Sequence, residues 1–195
     1  MSWPEDLVVK VKFCGLKRPC DMEWANELRP DYAGFVFAGK KRRVSDDQAA
    51  ALRKDLDPSI PAVGVFVDDS LGHIGQLVTA GTIQLVQLHG REDDAMIEAV
   101  QRTLKVPVIK AFSIASEADV RQARQSRADY ILLDHGAGGT GDCFDWALLA
   151  HIDRPYFLAG GLNPDNAAQA AALQPFALDV SSGIETDGVK DKEKM

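Results

Sequence analysis

Short apolar runs, bounded by polar residues or glycine, recur at regular intervals along the chain. None is longer than about seven residues, so each is typical of a buried strand rather than of a helix. Amphipathic stretches suited to helices lie between them. The predicted strands end at Cys14, Phe37, Val67, Leu88, Ala111, Asp134, Ala159 and Val180. One strand and one helix recur about every 24 residues, and this spacing predicts an α/β fold with a closed, parallel (β/α)8 barrel, a TIM barrel.

Nothing in the sequence divides the chain into parts. Its 195 residues are 46% hydrophobic and 26% charged, which is ordinary for a globular protein, and no linker or repeated motif interrupts them. We therefore expect one domain covering residues 1–195. A doubly wound open sheet is the structural alternative, but it usually has fewer strands. Near the end of the chain, we predict a sixth helix over Asp145–His151 and a seventh with Asn163 as N-cap and Pro164 as its first residue.

Charge and cysteine content restrict the partners and the compartment. The net charge of −7 argues against general binding to nucleic acid or to an anionic membrane. Cys14, Cys20 and Cys143 show no metal-like spacing, so we predict no metal site and a reducing compartment. The acidic N-terminus does not resemble a signal peptide, and no apolar run approaches the ~18 residues of a membrane-spanning helix. These features predict a cytoplasmic protein.

The ends of the strands hold the candidate functional residues, because barrel enzymes build their sites there. Asp134 follows the apolar run Tyr130–Leu133 and precedes a glycine-rich loop. A carboxylate that closes a buried strand needs a partner or a function. The other candidates have simpler readings as well: Cys14 also fits a small apolar residue, Lys40–Arg43 fits a solvated loop, and His89 fits a chain turn.

Two glycine-containing pairs follow successive strands near the end of the chain. Gly160 and Gly161 come after the seventh strand, and Ser182 and Gly183 come after the eighth. Barrels gather a phosphate at these two loops, where bare backbone N–H groups and a short helix meet. Together the two pairs predict a small phosphorylated substrate.

An ordered set of short motifs covers nearly the whole chain. It comprises Lys12–Gly15, Gly34–Phe37, Gly64–Val67, Gln87–Gly90, Leu133–Asp134, Gly138–Gly141, Phe144–Trp146, Leu158–Leu162 and Asp179–Glu185. In this order the motifs resemble those of phosphoribosylanthranilate isomerases of tryptophan biosynthesis. The resemblance implies a cofactor-free Amadori rearrangement, which converts N-(5-phosphoribosyl)anthranilate to 1-(2-carboxyphenylamino)-1-deoxyribulose 5-phosphate.

The same resemblance implies roles for individual residues. Cys14 corresponds to the general base and Asp134 to the general acid. Arg42 corresponds to the arginine that binds the anthranilate carboxylate, although Arg43, one residue away, stays an alternative. By the same resemblance, the phosphate is bound by Gly160, Gly161, Ser182 and Gly183. Asp179 supports the site. His89 is grouped with the substrate-binding residues without a specific role.

Three points stay open from the sequence. Family members continue into a full closing helix, whereas only six residues follow from Lys190 here, so that helix is expected to be shortened or absent from the sequence. Other phosphate-binding barrels, such as lyases with a lysine–glutamate pair, are an alternative that could use Lys110, and a non-catalytic sensor of a phosphorylated ligand is another. No long apolar stripe calls for a partner, so we expect a monomer, with a homodimer as the alternative.

Overall fold

The computed structural model describes residues 8–134 and 145–195, and its central feature is a closed barrel of eight parallel strands. Each strand pairs with its neighbours in chain order, and β1 closes the barrel against β8. The strands are β1 Lys10–Cys14, β2 Tyr32–Val36, β3 Ala62–Phe66, β4 Leu85–Leu88, β5 Val108–Ser113, β6 Tyr130–Asp134, β7 Tyr156–Leu158 and β8 Ala177–Val180. The predicted (β/α)8 barrel is confirmed, and the open sheet is excluded.

Helices connect successive strands on the outside of the barrel. They are α1 Pro19–Leu28, α2 Asp46–Asp55, α3 Leu71–Thr79, α4 Asp94–Leu104, α5 Glu117–Gln125 and α6 Ala167–Ala172. Two helices begin at serine caps: the Ser45 hydroxyl accepts a hydrogen bond from the backbone of Gln48, and Ser116 forms a capping box with Asp119. No helix in the described part of the chain is long and apolar enough to cross a membrane.

Two predicted helices differ from the structure near β7. The sixth is a 3-10 helix over Trp146–His151, where the Asp145 carboxylate accepts a hydrogen bond from the backbone of Ala147 and tightens the first turn. The seventh, α6, begins at Ala167 rather than at Pro164. The Asn163 side chain does accept from the backbone at 165, 2.9 Å away, but it closes a turn before the helix. Such side-chain bonds compete with helix formation.

The segment after β8 forms a hairpin. A 3-10 turn over Ser182–Ile184 leads into β9, Glu185–Thr186, which pairs antiparallel with β10, Val189–Lys190. The two residues between these strands have φ values of 52° and 77° and the sequence Asp-Gly, which suits the tight turn of a two-residue hairpin. Residues 181–195 contain no α-helix.

The barrel interior changes from apolar at the N-terminal ends of the strands to polar at their C-terminal ends. The side chains that pack inside it are Tyr32, Val63, Leu85, Ile109, Leu132, Phe157, Ala159 and Ala177. Intervening strand residues such as Phe13, Phe35 and Phe66 pack outward against the helices. Because neighbouring strand residues face opposite sides, a residue two positions after an inner one also faces the interior. This alternation brings polar groups such as Gln87 and Asp179 together above the inner core.

Candidate active site

A cavity of about 310 Å³ opens at the C-terminal ends of the strands. Its lining includes most of the site residues that the sequence predicts: Cys14, Arg42, His89, Asp134, Gly160, Gly161, Asp179 and Ser182. The structure therefore brings together residues that lie far apart in the sequence, as expected for strand ends of one barrel. The loop Gly138–Gly141, which the sequence also singles out, lies outside the described residues. In the described part of the chain, no cluster of three His, Cys, Asp or Glu side chains could hold a metal ion.

Cys14 lies at the end of β1 and is only 7% exposed. Burial raises the pKa of its thiol, the positive charges of Lys12 and Lys190 lower it, and the negative charge of Asp179 raises it, with a net shift upward. A side chain at the neighbouring Gly34 on β2 would crowd the thiol, because a Cβ there would lie 3.0 Å from the Cys14 sulfur. The glycine thus lets the thiol face the cavity.

Asp134 ends β6, on the other side of the cavity from β1. Three strand-to-strand steps separate β6 from β1 around the barrel, through β7 and β8. Asp134 is buried, with 8% of the residue exposed, and its Oδ2 lies 3.6 Å from Nε2 of His89 on the loop after β4. A thiol and a carboxyl group therefore face one cavity from different sides.

Arg42 lies beside Cys14 in the loop after β2 and is held by a clamp from the hairpin. Its Nε and Nη2 donate to the two carboxylate oxygens of Glu185, at 2.6 and 2.9 Å. Lys190 also donates to Glu185, at 2.8 Å. Burial raises the pKa of Glu185, but the bonds from Arg42 and Lys190 outweigh it and bring the pKa down to about 2. Gly15, with φ of 80°, makes room, because a Cβ there would meet Arg42 Cδ at 2.5 Å.

Arg43 lies in a different place from Arg42. Its backbone pairs with Val36, and its side chain lines a separate pocket beside Asp46 and His73. His73 is bound there by the carboxylates of Asp46 and Asp69, which raise its pKa. Of the two arginines that the sequence leaves open, only Arg42 lines the cavity that contains Cys14 and Asp134.

The loops after β7 and β8 pack tightly against each other. Gly160 and Gly161 adopt φ values of 86° and 66°, a conformation that glycine adopts readily. A Cβ on Gly183 would clash with the backbone carbonyl oxygen of Leu162. Gly183 does not itself line the cavity, so its effect is to let the two loops approach, while Ser182 begins the 3-10 turn at the cavity wall.

Residues 11–195 match the family described as N-(5'phosphoribosyl)anthranilate (PRA) isomerase. The chain belongs to this PRA isomerase family. It is 46% identical, over 191 residues, to the N-(5'-phosphoribosyl)anthranilate isomerase of Endomicrobium trichonymphae, which covers 95% of this chain and 94% of that protein.

Two solved PRA isomerase structures superpose closely on this chain. One holds reduced 1-(o-carboxyphenylamino)-1-deoxyribulose 5-phosphate, with a TM-score of 0.86, 35% identity and coverage of 96% of this chain and 94% of the other. The second shows monomers generated from the dimeric enzyme of Thermotoga maritima, with a TM-score of 0.84, 35% identity and the same two coverages. The barrel and its order of motifs are thus those of PRA isomerases.

Lys110 faces away from the PRA isomerase cavity. The alternative hypothesis of a lysine-dependent lyase depends on this residue. It lies between the inward residues 109 and 111 of β5. Its Nζ donates to the Gly90 carbonyl at 2.6 Å and to Glu92 at 3.0 Å, and it does not line the cavity among the described residues. This buried pair ties the loop after β4 to β5.

Sequence reasoning missed Lys12, Gln87 and Glu185 as residues of the site. Lys12 is fully buried, and its Nζ donates to Gln87 at 2.8 Å and to Asp179 at 2.9 and 3.0 Å. The alternation of strand residues offered a signal, because Lys12 precedes Cys14 by two positions and Gln87 precedes His89 by two. Residues with that spacing face the same side of a strand.

Proposed function

We infer that this chain catalyses the PRA isomerase reaction, the Amadori rearrangement of N-(5-phosphoribosyl)anthranilate to 1-(2-carboxyphenylamino)-1-deoxyribulose 5-phosphate, in tryptophan biosynthesis. The observation that carries the proposal at the level of residues is the presence of Cys14 and Asp134 on different sides of one cavity. A related structure that holds a reduced form of the product supports a phosphorylated small molecule as the ligand.

The first step of the proposed mechanism opens the furanose ring. Asp134, in its protonated form, donates a proton to the ring oxygen. The bond from C1′ to that oxygen then breaks, and the lone pair of the anthranilate nitrogen forms a C1′=N iminium. His89, 3.6 Å from Asp134, is placed to hold the carboxyl group in position.

The second step moves a proton from C2′. The Cys14 thiolate removes this proton, and the electrons of the C–H bond form a C1′=C2′ double bond that neutralises the iminium. The resulting enolamine becomes the ketone when C1′ gains a proton and the C2′ hydroxyl loses one. Because burial raises the pKa of Cys14, the reaction needs a nearby positive charge to stabilise the thiolate.

The remaining residues bind the two ends of the substrate. Arg42, clamped by Glu185, binds the anthranilate carboxylate with the part of its guanidinium that the clamp leaves. The loops with Gly160–Gly161 and Ser182–Gly183 bind the phosphate, as barrel enzymes do after their seventh and eighth strands. Asp179 supports the site through Lys12.

A rate measurement with freshly generated phosphoribosylanthranilate tests the proposed function. The isomerisation changes the fluorescence of the anthranilate group. The purified chain is therefore expected to accelerate the decay of the substrate's fluorescence signal in proportion to the protein concentration. A phosphorylated ligand such as the reduced product should inhibit this acceleration competitively. An unchanged decay at micromolar protein would contradict the proposal and favour a non-catalytic sensor of a phosphorylated ligand.

We also propose that the chain works as a one-domain cytoplasmic monomer covering residues 1–195. Its exposed large apolar residues in the described part are Val8, Leu28, Val67, Leu173 and Val189, which are widely separated along the chain. Sedimentation equilibrium at micromolar concentration is expected to give the mass of one 21.2 kDa chain. A mass of twice that value would support the homodimer instead.

A further inference from the structure

Lys12 is a fully buried cation inside the barrel. Its partner Asp179 lies directly beside it in the ladder between β1 and β8. Its other acceptor, Gln87, lies on β4, so the side chain of Lys12 reaches across the interior. A buried charge is costly unless it is paired and hydrogen-bonded, and Lys12 has both kinds of partner. Burial lowers the pKa of Lys12, but Asp179 and Cys14 raise it, and the net shift is upward, which keeps it an ammonium.

Gln87 connects this ammonium to the other side of the cavity. Its Oε1 accepts from Lys12 at 2.8 Å, and its Nε2 lies 2.9 Å from Nδ1 of His89. Nε2 of His89 lies in turn 3.6 Å from the carboxylate of Asp134. One chain of polar contacts thus runs from Asp179 beside β1 to the proposed general acid on β6.

The contact with Lys12 determines which groups donate and which accept in the hydrogen bonds from Lys12 through Gln87 to His89. An ammonium can only donate hydrogen bonds, so the oxygen of the Gln87 amide must face Lys12 and the NH₂ group must face His89. The amide NH₂ can only donate, so Nδ1 of His89 accepts. A neutral His89 therefore carries its proton on Nε2, where it points toward Asp134.

The same ammonium acts on Cys14. The charged groups that face the thiol are Lys12 on its own strand, Asp179 on β8, Lys190 on the hairpin and Arg42 in the loop after β2. Among them, Lys12 has the largest effect on the pKa of Cys14 and lowers it, whereas Asp179 raises it less. Lys12 thus counteracts the burial of the thiol.

We propose that Lys12 is a positioning residue for the isomerisation: its ammonium stabilises the Cys14 thiolate and, through Gln87, directs the Nε2–H of His89 toward Asp134. This inference rests on the proposed roles of Cys14 and Asp134. A single buried residue would then stabilise the thiolate of the base on one side of the cavity and orient the carboxyl group of the acid on the other.

The alkylation of Cys14 tests this role without any need for turnover. Iodoacetamide reacts with the thiolate, so its rate against pH reports how readily the thiolate forms. In a background that carries Cys20→Ser and Cys143→Ser, Lys12→Met is expected to slow alkylation near pH 7 by about tenfold or more and to move the profile to higher pH. In the same variant, the ¹⁵N chemical shifts of the His89 ring are expected to change from those of the Nε2–H tautomer to those of a mixture of both tautomers.

Two further variants guard the interpretation. Lys110→Met removes another buried lysine that is paired with a carboxylate, and it should leave the alkylation profile of Cys14 unchanged. Lys12→Met with Asp179→Leu removes both charges, so no unpaired carboxylate threatens folding, and alkylation should still be slow because Lys12 acts on the thiol more strongly than Asp179. An unchanged alkylation profile in the folded single or double variant would overturn the proposal. If Lys12→Met shifts the alkylation profile but the unsubstituted chain has no isomerase activity, the proposed function fails while the effect of Lys12 on the thiol stands.

Discussion

Asp134→Asn and Cys14→Ser are each expected to lower kcat for the isomerisation by about 10²–10⁴-fold, the range that a general acid or base contributes. The asparagine cannot donate the proton that opens the ring, and the serine hydroxyl is a much weaker base than a thiolate. Both changes keep the size of the side chain, so the cavity should persist. Steady-state fluorescence kinetics measures the loss.

Binding measurements separate lost chemistry from a damaged site. Both variants are expected to bind the reduced product about as tightly as the wild type, because the loops for the phosphate and Arg42 are unchanged. Cys20→Ser serves as the matched control: this free cysteine is half-buried on α1 and does not line the cavity. Activity that persists in Cys14→Ser, or that falls equally in Cys20→Ser, would argue against Cys14 as the base.

Arg42→Met is the change with the second largest expected effect. Loss of a charge-assisted hydrogen bond to the anthranilate carboxylate should weaken binding by about 1.5–3 kcal/mol, which raises KM by roughly 10- to 100-fold with a smaller change in kcat. Arg43→Met is the control, since Arg43 has the same charge and lines a different pocket. Comparable increases in KM for both variants would contradict the assignment.

Glu185→Gln extends this test to the clamp. The glutamine keeps the shape of Glu185 but weakens its hold on Arg42, so KM should rise by less than in Arg42→Met, and the two changes together should be less than additive. Full additivity would show that Glu185 does not act through Arg42. The clamp is also expected to weaken in acid, as the folded-state pKa of Glu185 is about 2 and its stabilisation is lost as the pH falls from 4.5 toward that value.

Much of the barrel could be predicted from sequence because its strands are buried on both faces. Runs such as Ala62–Phe66 read as continuous apolar segments, and their regular spacing implies one repeated unit. The rim candidates Cys14, His89 and Asp134 follow from the same reading, since any residue at a strand end belongs to the same edge of the barrel. The serine caps of α2 and α5 are local as well, since each serine bonds to the residue three positions further along the chain.

The contacts between distant residues could not be predicted in this way. The clamp joins Arg42 to Glu185, 143 residues away, through the hairpin that follows β8. The interaction of Lys12 with Gln87 depends on which strands lie opposite each other, although the alternation of β1 did place Lys12 on the same side as Cys14. The late start of α6 reflects competition from the Asn163 side chain, which propensity alone does not reveal.

The division of roles between Cys14 and Asp134 is tested most directly by the kinetic isotope effect of substrate deuterated at C2′. In Cys14→Ser, removal of the C2′ proton should become the slowest step, so a large primary isotope effect is expected. In Asp134→Asn, ring opening should limit the rate, and the effect should approach unity. An equal isotope effect in the two variants, or the reverse order, would contradict the assignment of Cys14 as the base and Asp134 as the acid.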